Sequence, residues 1–126
     1  MPRDNAPQPP HMAEQEALLR TSYAAFNAHD VATTLKAMAP DVEWPDSFDG
    51  GMLHGPEAIG AFWQRQWAVL EPQFELKHFE TDPDGHLVVT VIQTVRNLDG
   101  GIISQGLVRQ VYEFENGLVR RMRVLL

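Results

Sequence analysis

Between Val42 and Trp67 the chain reads VEWPDSFDGGMLHGPEAIGAFWQRQW, a stretch that sets ionisable side chains beside aromatic ones. Asp46 lies two residues past Trp44, so it shares that residue's side of an extended segment. A carboxylate at an apolar mouth has a raised pKa and can remove a proton from a carbon next to a carbonyl. Asp46 is therefore the candidate base; the alternative is a solvated loop aspartate closing an Asx turn. His54 stands just before a helix, where an imidazole titrating near neutral pH can act as acid or orienting group, or can merely pack. Asp49, followed by two glycines, is a weaker candidate.

Two glutamines extend the set. Strand parity groups Gln93 with Val89, Val91 and Val95, and groups Gln110 with Ser104, Gly106, Val108, Tyr112 and Phe114. An amide on an apolar wall needs a partner. Gln93 and Gln110 either grip a ligand carbonyl or hydroxyl, or bond to each other or to Tyr112. Tyr23, Trp44, Phe62, Trp63, Val91 and Met122 are the expected apolar wall. Three tryptophans in so small a domain exceed what packing alone requires. The five histidines show no metal-ligand spacing, so neither a metal nor another cofactor is expected.

These groups need elements to hold them. Apolar residues recur at helical spacing from Ala13 to Ala28, with Leu18, Leu19, Ser22, Tyr23 and Phe26 near one stripe. His29 occupies a turn position where a left-handed backbone is tolerable, and Asp30 is placed to cap a short helix through Val31, Leu35 and Met38. Pro40 is expected to end that helix, and Val42 to Trp44 to form a brief strand. Gly55-Pro56-Glu57 opens a third helix with the stripe Ile59, Phe62, Trp63, Gln66, Trp67 and Leu70. After Pro72 the period becomes alternating, which predicts strands at about Phe74 to Thr81, Leu87 to Arg96, Ile102 to Glu115 and Leu118 to Leu126. Tight turns at Asp82 to Gly85, Asp99 to Gly101 and Asn116-Gly117 make these an antiparallel meander.

Composition narrows the function classes. The 126 residues make one domain, expected over 13–126, with 1–12 as a disordered arm and Met12 as an alternative start. A net charge of -7 opposes nucleic acid and anionic membranes, and no segment is long and apolar enough to span a bilayer. The arm has no apolar run of the kind a secretory signal carries. The absence of cysteine rules out disulfides and a thiol nucleophile and suits a cytoplasmic protein.

The segments YAAFNAHD, DVEWP, HGPEAIGAFW and VYEFENGLVRRMRVL, in this order, resemble the nuclear transport factor two-like superfamily, in its SnoaL-like and ketosteroid isomerase-like branch. The resemblance covers nearly everything after the arm. It implies an α+β fold, a cone-shaped α+β barrel with N-terminal helices packed in a curved antiparallel sheet, a deep apolar pocket and a homodimer formed through the sheet. Ketosteroid isomerases place an Asp base, a Tyr and a protonated Asp where this chain has Trp44, Ser22 and Gln110. All three are replaced, and a tryptophan cannot abstract a proton. The resemblance thus implies the fold without that mechanism. The expected function is binding of an apolar, carbonyl-containing small molecule, with cofactor-free isomerase or cyclase chemistry through Asp46 and His54. A non-catalytic binding module is the alternative, and a protein interaction module of the transport-factor type is a third.

Overall fold

The structure, a computed structural model, describes residues 10–125; of the arm expected over 1–12, residues 1–9 lie outside the described residues. Helix α1 spans Pro10–Asn27, beginning three residues before the predicted start. Its inner face carries Met12, Leu19, Tyr23 and Phe26, spaced by seven, four and three, all buried. The helix ends in a left-handed turn at His29, φ 61°. His29 N–H donates to Phe26 O and Asp30 N–H to Ala25 O, at 2.9 and 2.8 Å, which is the pairing of a Schellman cap. Glycine usually fills that position. Here the imidazole stacks on Trp67, with centroids 4.1 Å apart, and bonds Glu71 Oε2 at 2.7 Å, contacts that offset the backbone cost. Asp30 then caps α2 (Val31–Leu35) by accepting from Thr33 N–H and Thr33 Oγ1.

The next element departs from expectation. Met38 and Pro40 belong to strand β1, Met38–Pro45, and not to a helix. Pro40 is tolerated because β1 pairs with β6 (Leu118–Leu125) at Met38↔Val119 and Glu43↔Arg121 with an irregularity between, where a missing N–H breaks no ladder bond. A short strand β2, Met52–His54, folds back antiparallel on β1 where a loop was expected. Helix α3 covers Pro56–Trp67, with Ile59, Phe62 and Trp63 buried. Strands β3 (Glu71–Thr81), β4 (Leu87–Arg96) and β5 (Ile102–Glu115) complete the antiparallel meander with β6. Asn116 and Gly117 both have positive φ, as a two-residue hairpin turn requires.

The strand order is β2-β1-β6-β5-β4-β3. Because β1 runs parallel to β6, the sheet is mixed, where an antiparallel one was expected, and it stays open between its edge strands β2 and β3. The helices pack against its curved inner face, giving an α+β cone. Val42, Ile59, Val89 and Val91 are fully buried at the packing centre. Among the described residues no helix is long and apolar enough to cross a membrane.

On the outer face of the sheet Val111 is buried, as is its cross-strand partner Val88. The row across the sheet is Glu80, Val88, Val111, Arg123. Arg123, at the end of this row, lies with Nη2 3.8 Å from Asp82 Oδ2 and Nε 3.9 Å from Glu113 Oε2. Leu107, further along β5, is 70% exposed.

Candidate ligand cavity

The cone encloses a cavity of about 290 Å³. Helix α1 contributes Leu19, Ser22, Tyr23 and Phe26, and α3 contributes Phe62, Trp63 and Gln66. From the sheet come Trp44, Phe74, Gln93, Val108, Gln110, Tyr112 and Met122. The aromatic rings meet edge to face: Trp44 on Trp63 at 5.7 Å, Phe26 on Trp63 at 5.1 Å, Tyr23 on Phe74 at 5.6 Å. Edge-to-face contacts are a favoured aromatic arrangement and fix the ring planes. Asn27 holds Phe74 in place by bonding both its backbone N–H, at 2.9 Å, and its carbonyl, at 2.8 Å.

Three buried polar side chains form one cluster on the wall. Tyr23 O–H donates to Gln110 Oε1, the two tyrosine oxygens lie 2.7 Å apart, and Tyr112 O–H also reaches Gln110 Oε1 at 3.4 Å. Burial pushes both phenol pKa values up, and for Tyr23 the neighbouring Tyr112 adds to the effect. Both tyrosines therefore stay protonated as hydrogen-bond donors. No Asp, Glu, His, Lys or Arg among the described residues lines the cavity.

The expected wall residues Tyr23, Trp44, Phe62, Trp63 and Met122 line the cavity, as do Gln93 and Gln110. Val91 does not; it is fully buried among core side chains. Asp46 is also outside the lining. Its Oδ1 accepts the backbone N–H groups of Phe48 and Asp49, each at 2.9 Å, and so closes an Asx turn. His54 is mostly exposed and stands opposite Glu43 in the β1–β2 ladder, with Nδ1 3.6 Å from Glu43 Oε2. Leu53 and Trp44 form the adjacent pair, on the other face. One residue of strand parity thus takes His54 away from the cavity. Glu43 in turn is held below the usual carboxylate range by hydrogen bonding to Arg121.

Sequence reasoning passed over Phe74 and Tyr112 as site residues. Both were accessible through pairing: Phe74 lies opposite Gln93, and Tyr112 follows Gln110 by two on one strand. Outside the cavity, Asp82, Asp84 and His86 bring ligand-type atoms within 4.8 Å of one another at the β3–β4 turn. Asp82 Oδ1 is occupied there by the N–H groups of Asp84 and His86, and Arg123 neighbours its other oxygen.

Comparison with known proteins agrees with this architecture. The SnoaL-like domain family matches residues 19–122. A protein of unknown function with this fold from Burkholderia pseudomallei is 25% identical, with 89% of each chain covered and a TM-score of 0.77. TerC, co-crystallised with polyporic acid, is 25% identical over 89% of this chain and 90% of that one, with a TM-score of 0.76. A Mycobacterium tuberculosis protein in complex with estradiol-17beta-hemisuccinate is 21% identical over 90% and 93%, TM-score 0.76. No curated protein matches the chain significantly. With four-fifths of its length matched by the family and the expected α+β cone in place, the chain belongs to the SnoaL-like domain family.

Proposed function

We propose that the protein binds an apolar, carbonyl-containing small molecule in its cone and acts as a binding protein. The observation that carries this is an aromatic cavity whose polar side chains, among the described residues, are amides and hydroxyls, with no ionisable acid or base apart from two phenols held protonated. An apolar cavity of about 150 Å³ accommodates benzene, so about 290 Å³ suits a compound of two fused rings. The ligands of TerC and of the mycobacterial protein support small-molecule binding in this fold. Acid/base catalysis has less support, because Asp46 is engaged by its own loop and His54 faces outward.

The functional unit in this proposal is a cytoplasmic homodimer formed through the sheet. Leu107 and its cross-strand neighbour Ile92 supply the apolar patch that a second copy would cover. A thermal-shift screen against two-ring ketones tests the central claim, followed by fluorescence titration of the hits. Ligand should perturb emission from Trp44 and Trp63, and Trp67→Phe should keep the signal because Trp67 is not in the lining. A signal that disappears with Trp67 and survives Trp63→Phe would place binding elsewhere.

A further inference from the structure

Both phenolic protons on the cavity wall already have acceptors. Tyr23 O–H donates to Gln110 Oε1. Tyr112 O–H has two acceptors in reach, Tyr23 Oη at 2.7 Å and Gln110 Oε1 at 3.4 Å, and both belong to the same cluster. A tyrosine has one proton to donate. Two protons serve internal bonds, so neither hydroxyl has one left for a ligand. Ser22 and Thr34, also in the lining, are in the same position: their hydroxyls donate to Leu18 O and Asp30 O, each at 2.9 Å. Gln110 differs. The tyrosines hold its amide oxygen, and this directs the Nε2 hydrogens away from the phenols.

We propose that Gln110 Nε2 is the donor that selects the ligand, and that the ligand is an uncharged ring compound with an acceptor oxygen, bound in preference to an anion of the same shape. This rests on the ligand-binding reading above. A neutral amide supplies one hydrogen bond and no counter-charge, and no cationic side chain among the described residues lines the cavity. A carboxylate entering it would be desolvated without compensation. The net charge of -7 opposes it further. Tyr23 acts through Gln110 and is a positioning residue. Gln93, across from Gly106 on the facing strand, and Gln66 on α3 offer further amides of the same neutral kind.

Three probes of one ring system test this on the full chain by tryptophan fluorescence: 2-acetylnaphthalene, 2-ethylnaphthalene and 2-naphthoate. The ketone should bind about three- to tenfold tighter than the hydrocarbon, the range of one neutral hydrogen bond. Near neutral pH it should bind at least about tenfold tighter than naphthoate. In Gln110→Met the ketone and hydrocarbon should converge, with hydrocarbon affinity kept within about twofold as the check on an intact cavity. In Tyr23→Phe most of the ketone preference should persist, because Tyr112 still reaches Gln110 Oε1. Equal binding of ketone and hydrocarbon by the wild type overturns the proposal and leaves the ligand-binding reading standing, and so does naphthoate binding as tightly as the ketone. A preference that vanishes in Tyr23→Phe but survives Gln110→Met assigns the donor to the tyrosine and overturns it too. Failure of all three probes overturns both readings. The wild-type comparison decides the matter even where Gln110→Met does not fold.

Discussion

Asp46 Oδ1 accepts the backbone N–H of Phe48 at 2.9 Å, and the same oxygen accepts that of Asp49. Two backbone bonds, Gly50 N–H to Asp46 O and Asp46 N–H to Gly51 O, complete the β1–β2 turn around it. The turn sits at the cavity mouth, with Ser47 in the lining and the Phe48 ring 5.2 Å from that of Phe62. Asp46 shapes the rim of the site without entering it.

An amide oxygen can accept the same two bonds, whereas a methyl group cannot. Asp46→Asn should therefore change stability by less than about 0.5 kcal/mol and leave ligand affinity unchanged. Asp46→Ala should cost about 1 kcal/mol and weaken binding as the mouth loosens. Urea denaturation and ligand titration measure both. A binding or turnover defect in Asp46→Asn with unchanged stability would return Asp46 to the site.

Much of this architecture was legible in the sequence because local signals agreed with tertiary ones. Strands β4 and β5 alternate, carry β-branched residues and end in turn residues, so their bounds followed from pattern. Helix α3 announced itself by Pro56 at its first turn. Strand β2 was not legible, because three residues are extended there only through pairing with β1. That pairing also decided the fate of His54, one residue from the inward Leu53. The strand around Pro40 was hidden for a similar reason: an irregularity in the β1–β6 pairing, which no local signal marks, removes the cost of a proline. For Asp46, both readings were open until the positions of two backbone N–H groups were known.

Gly106 shares the inward parity of Val108 and Gln110 and lies opposite Gln93, and a Cβ added there meets nothing within 4 Å. Its φ is not positive, so a side chain meets no backbone strain. Gly106→Val should raise stability by about 0.5–1 kcal/mol through reduced unfolded-state entropy. The same isopropyl group narrows the approach to Gln93 and should lower ligand affinity. Denaturation and titration in parallel would show the opposed effects, and equal affinity in the variant would mean that ligand enters by another route.

The outer sheet face divides into a covered half and an open half. Val111 and Val88 are buried within one subunit, whereas Leu107 is 70% exposed. If a second copy covers the open half, Leu107→Glu sets like charges facing each other near the two-fold axis, and sedimentation should show monomer. Val111→Glu would instead bury a carboxylate within one subunit and should destabilise the fold itself. A wild-type chain sedimenting as a monomer at micromolar concentration would remove the dimer.

The pH dependence of stability should carry the signature of the cavity. Tyr23 and Tyr112 keep their protons above the ordinary phenol value of 10.0, because burial disfavours the phenolate. Unfolded tyrosines release theirs near that value. Above it the unfolded state binds fewer protons than the folded one, so stability is full below about pH 10 and falls as pH rises. Tyr112→Phe should flatten this alkaline limb. The acid limb has the opposite sign: Asp30, Glu43 and Asp82 are held below their ordinary values by hydrogen bonds, from Thr33, Arg121 and the backbone N–H of His86 respectively. Their contribution is present above the ordinary carboxylate range and is lost as pH falls through the folded values. Arg121→Met should diminish this limb and leave the alkaline one untouched. Chemical denaturation across the pH range separates the two, and an alkaline limb unaltered in Tyr112→Phe would mean that the cluster of Tyr23, Gln110 and Tyr112 is not sealed from water as its burial requires.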